Sequence, residues 1–66
     1  MNINGELERE LKVKKVLQLV KKMAIPSYRK SSTSTDNMRW LKRNLYVANR
    51  NHPNFNEVMD ILNKIV

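Results

Sequence analysis

The chain has 66 residues, a formal net charge of +7 at pH 7, no cysteine and one histidine. A chain of this size buries only about 60% of its unfolded surface, and such a core rarely supplies more than about 3–5 kcal/mol of net stability. Disulfides and an ordinary zinc site are excluded, so stability must come from helix packing, self-association or a partner, and no cofactor or metal is expected.

The opening "MNINGELERE" lacks the basic start and apolar run of a secretion signal. No apolar stretch is long enough to span a bilayer. With cysteine absent as well, the chain reads as cytoplasmic, without a membrane partner. Helical periodicity then begins, predicting a first helix over about 5–24. Val13, Val16, Leu17, Val20 and Ala24 form one apolar stripe, with Lys14, Lys15, Gln18, Lys21 and Lys22 on the other side. Glu6, Glu8 and Glu10 in the first turns and Lys21 and Lys22 in the last complement the helix dipole. Pro26 disfavours helical geometry at Ile25 and ends the helix. Leu7, Leu11 and Leu19 fall off the stripe and are expected to be exposed; Leu7 and Leu11 are candidates for a dimer or partner contact.

The connector over 25–35, "IPSYRKSSTSTD" with the residue that follows it, is long for so small a bundle and is expected to be mobile. Its "RKSS" could accept phosphate near basic residues but reads as a solvated linker. Ser34 or Thr35 can cap a second helix over about 36–50, whose core stripe is Met38, Leu41, Leu45 and Ala48. Asn49 or Asn51 can end it in the left-handed conformation. The third helix, about 54–65, has Phe55, Val58, Leu62 and Ile65 as its stripe with Ile61 beside them. Asn54 and Glu57 resemble a capping box. The expected fold is all-α: a single three-helix domain over 1–66 with a long connector between helices 1 and 2.

Charge locates the working surface. Residues 1–11 carry Arg9 against Glu6, Glu8 and Glu10, a net −2. Residues 12–50 carry eleven Lys and Arg against Asp36 alone, a net +10. Lys64 against Glu57 and Asp60 gives the remainder −1. A concentrated field of one sign favours polyanions or an acidic protein surface. At 100° per residue, Arg39, Arg43, Tyr46 and Arg50 share one face of the second helix, with Lys42 at its edge. This face lies nearly opposite the core stripe. Guanidinium groups pair with phosphate or carboxylate oxygens, and exposed aromatics stack on unpaired bases. Arg29, Lys30 and the helix-one lysines Lys14, Lys15, Lys21 and Lys22 extend the candidate surface. Trp40 is expected in or beside the core, with a partner contact as its second role.

Other chemistry finds little support. The corner "NHPN" invites a helix-turn-helix reading, but the would-be reading helix carries Glu57 and Asp60 against Lys64 and would repel phosphate. His52 reads as a corner or cap residue. No acid pair, triad or glycine-rich loop is present, so no enzymatic activity is expected. An amphipathic membrane-surface helix usually carries Trp or Phe on its apolar face, where helix one has valine. In size, Lys/Asn-rich composition and lack of catalytic features, the chain resembles in style the small accessory proteins of phages and mobile elements. Two functions follow: a regulatory nucleic-acid binder acting mainly through phosphates, or a small inhibitor or adaptor docking its basic face on an acidic host protein. A homodimer is compatible with either.

Overall fold

The computed structural model describes residues 3–66, so Met1 and Asn2 of the opening stretch lie outside it. Three helices make the fold: α1 (Ile3–Val20), α2 (Thr35–Ala48) and α3 (Phe55–Ile65). A single 3-10 turn, Ser27–Arg29, sits in the connector. No helix among the described residues is long and apolar enough to cross a membrane.

Hydrogen bonds at the helix ends define the topology. Arg9 Nη2, in α1, donates to Thr35 Oγ1 at the start of α2 over 3.0 Å. Asn49, just past the end of α2, bonds Ala24, just past the end of α1. The two helices therefore run in the same direction. Antiparallel neighbours are joined by a few residues. Parallel ones need a connection that travels back about a helix length, here about 21 Å for α2 at 1.5 Å per residue. Residues 21–34 make that return, which is why the connector is long. Helix α3 runs opposite to both. Its first turn is tied to the end of α1 by Asn54 Nδ2 donating to the Leu19 carbonyl over 3.2 Å. Its end meets the middle of α2, where Lys42 Nζ donates to the Val66 carbonyl over 3.1 Å.

Helix α3 packs on both α1 and α2 and is the element they share. The core joins Val13, Val16 and Val20 of α1, Met38, Leu41 and Leu45 of α2, Phe55, Val58, Met59 and Leu62 of α3, and Met23 from the turn. The molecule is only 17 Å in its thinnest direction, about two helix layers at the usual 8–10 Å spacing. Fully burying each apolar side chain of this kind is worth about 1.5–3 kcal/mol.

Several expectations are corrected. Helix α1 ends at Val20 rather than about residue 24, because Ala24's backbone N–H and C=O are both taken by the Asn49 side chain. Ala24 and Ala48, expected in the apolar stripes, are exposed, while Leu19 is partly buried against the core. Helix α2 ends at Ala48, two residues early. No described residue adopts a positive φ; Asn49 ends the helix at φ −126° with its N–H on the Leu45 carbonyl. Helix α3 has no capping box, because Asn54's side chain reaches Leu19 and makes no cap bond. The long connector is bonded along its length. Lys30 Nζ donates to the Lys21 carbonyl over 2.9 Å. Asn37 Nδ2 donates to the carbonyls of Arg29 and Ser32, each at 2.8 Å. Ser34 caps α2 by accepting from the Asn37 N–H over 3.1 Å.

The Asn49 clasp is a strong test of this topology. Asn49 is 4% exposed. Asn49→Ala leaves two backbone groups of Ala24 without their partner and is expected to cost about 1–3 kcal/mol, a large fraction of so small a protein's stability. Urea denaturation followed by circular dichroism measures the loss; a change within about 0.5 kcal/mol contradicts the assigned role.

Candidate polyanion-binding surface

The outward face of α2 is set by the inward one. Met38, Leu41 and Leu45 are each 0% exposed, which turns Arg39, Arg43 and Tyr46 to solvent. Arg39, Lys42, Arg43 and Tyr46 line one surface depression with Val66, about 510 Å³ in volume. Tyr46 is 51% exposed. Its ring meets Phe55 edge-on, with centroids 5.0 Å apart and planes at 76°, an arrangement aromatic pairs favour. Arg39's acidic neighbour is Asp36, 3.7 Å away, with both side chains well exposed. Such a contact is worth little and leaves the guanidinium available. Lys42 is half-buried and partly engaged through its bond to Val66.

The remaining candidate cations do not join this depression. Lys14, Lys21 and Lys30 line a second one with Leu17 and Gln18, about 470 Å³. There the bond from Lys30 to the Lys21 carbonyl complements the negative end of α1. Arg50 lies beyond the end of α2, in a third depression with Lys22 and His52. Lys15 is exposed on α1. The single basic face expected from periodicity is thus divided into patches on α2, on α1 with the connector, and at the corner.

Arg29 is drawn into the fold. Its guanidinium carbon sits 4.5 Å from the Trp40 ring centroid and 5.1 Å from that of Tyr28. Nη1 donates to Asn37 Oδ1 over 3.2 Å. Its Nε is buried and finds no acceptor, so the negative π faces of the two rings supply the compensation. Trp40 is partly buried against the core and covered by Arg29 on one face, so it is not an open stacking platform. Tyr28 remains 68% exposed. Sequence reasoning missed the buried role of Asn37 and Asn49; no local pattern separates them from solvent-facing asparagines. His52 is a corner residue, its Nδ1 accepting from the Asn54 N–H over 3.0 Å. Among the described residues, no three His, Asp or Glu side chains gather as metal ligands.

Compared with family models, with curated proteins and with solved structures, the chain matches none.

Arg29→Ala is expected to destabilise the fold by about 1–3 kcal/mol, through the lost cation–π contacts and the orphaned Asn37 oxygen. Arg29→Lys should recover little, because an ammonium cannot stack flat and reach Asn37 together. Urea unfolding followed by Trp40 fluorescence checks this; an unchanged midpoint for Arg29→Ala would place the side chain in solvent.

Proposed function

We propose that the protein is a non-enzymatic, regulatory nucleic-acid binder of the cytoplasm that grips phosphates through α2. The observation that carries this reading is the gathering of Arg39, Lys42, Arg43 and half-exposed Tyr46 around one depression. Arginine forks match phosphate oxygens in paired geometry, and release of counterions from the nucleic acid drives such binding. Lys14 and Lys21 offer a second set of phosphate contacts. Tyr46 supplies one ring for stacking on an unpaired base. Trp40 is occupied by Arg29. With few groups able to read base edges, the contacts position the strand rather than select its sequence.

A second reading is an inhibitor or adaptor docked on an acidic protein surface. The apolar contribution of Tyr46 and Val66 to the same depression favours it. The two readings separate by salt, since apolar anchors tolerate ionic strength and phosphate contacts do not.

In the first reading, Arg39→Ala with Arg43→Ala weakens binding to an oligonucleotide of mixed sequence. It also makes the dependence of log K on log salt shallower by about 2, while circular dichroism stays unchanged. Retained helicity with unchanged affinity overturns the reading. Lost helicity would instead make the stripe structural.

A further inference from the structure

Helix α1 has two unlike halves. Among the described residues its buried side chains begin at Val13, and those of residues 5–12 are exposed or only partly buried. Leu7 and Leu11 are 52% and 59% exposed there. At 100° per residue they share one face, diametrically across the helix from Val13, Val16 and Val20. Glu8 and Glu10 flank that face, about 80° to either side; Glu8 also lies 3.8 Å from Lys12, a largely solvent-screened pair worth little, and Lys14 and Lys15 follow about a turn later on the same side. This is the acidic end of a strongly basic protein. A short helical stretch is marginal without packing, and two leucines four residues apart are the usual anchors of a helix laid in a groove.

We propose that the Leu7–Leu11 face of one copy docks in the α2 depression of a second copy. The chemistry is complementary. The depression offers the half-exposed Tyr46 ring and Val66 to the leucines, and Arg39, Lys42 and Arg43 to the flanking glutamates. A symmetric pairing of α1 with α1 is disfavoured. An antiparallel pair that stacks Leu7 on Leu11 sets Glu8 against Glu8 and Glu10 against Glu10, and a parallel pair sets Glu8 against Glu10, so the acidic flanks repel either way. The contact is therefore head to tail, with a donor face on α1 and an acceptor on α2. Such an interface propagates into a chain or closes into a ring. The acceptor is the phosphate-binding depression proposed above, so self-association and nucleic acid compete for it, although the docking does not depend on that function.

Light scattering after gel filtration at low salt, over a series of protein concentrations, tests the proposal. Wild type is expected to rise above monomer mass with concentration, the effect shrinking in high salt. Leu7→Asp with Leu11→Asp removes the donor; Arg39→Glu with Arg43→Glu removes the acceptor. Each should be monomeric alone. An equimolar mixture should give twice the monomer mass and grow no further, because one intact donor meets one intact acceptor. Glu8→Lys with Glu10→Lys, which keeps the leucines, guards against a folding defect and should also be monomeric. A wild type that stays monomeric at every concentration overturns the proposal. So does a donor variant that assembles like wild type, or a mixture that remains monomeric. At protein concentrations where wild type is monomeric, the donor variant should keep wild-type affinity for an oligonucleotide, which separates this contact from the phosphate-binding reading: that reading can fail in its own assay while the mixing result stands.

Discussion

The fold depends on how buried asparagine amides substitute for backbone pairing. Two parallel helices in a chain this small must be joined by a return segment that belongs to neither. Its peptide groups need partners once they pack on the core. Asn49 supplies them at one end, accepting from the Ala24 N–H over 2.8 Å and donating to the Ala24 carbonyl over 3.1 Å. Asn37 supplies them at the other, through the Arg29 and Ser32 carbonyls. Both are almost fully buried, at 4% and 1% exposure, where an unmet polar group is costly. The two residues bracket α2 and fix where it lies beside α1. The outward direction of the α2 stripe follows from that placement.

Arg29 links this framework to the surface. It contributes its carbonyl to Asn37 and receives the Asn37 oxygen in return, while its charge rests on Trp40. One of the thirteen basic residues thereby becomes part of the scaffold, together with the lone tryptophan. Lys30 acts at the end of α1 in a similar way. The cations that remain outward are those on α2 and along α1, and these carry the proposed binding. A basic surface on a chain with so small a core also has a cost in self-repulsion, which the acidic first turns of α1 partly offset.

Much of this organisation is legible in local pattern. The stripes of α2 and α3 follow from spacing alone, because Met38, Leu41 and Leu45 and then Phe55, Val58 and Leu62 meet one packing surface each. The Ser34 cap is readable because its partner lies three residues away. What sequence reasoning missed depends on residues distant in the chain. The end of α1 is set by Asn49, which bonds Ala24 from 25 positions on. The fate of Arg29 depends on an aromatic ring brought in by α2. The length of the connector is readable locally, but its cause, the return between parallel helices, is not. For the site, periodicity grouped Arg39, Lys42, Arg43 and Tyr46 on one face, and these residues do line one depression. It also placed Arg50 among them, which the early end of α2 removes.

On the proposed reading, the outward face of α2 binds phosphate. The most direct measurement is wild-type affinity for a duplex of mixed sequence across a series of salt concentrations. Three cations around the depression, each displacing about 0.9 of a counterion, predict a slope of log K against log salt of about −3 or steeper. Binding that is absent at low salt, or that persists with a flat slope, would contradict the claim.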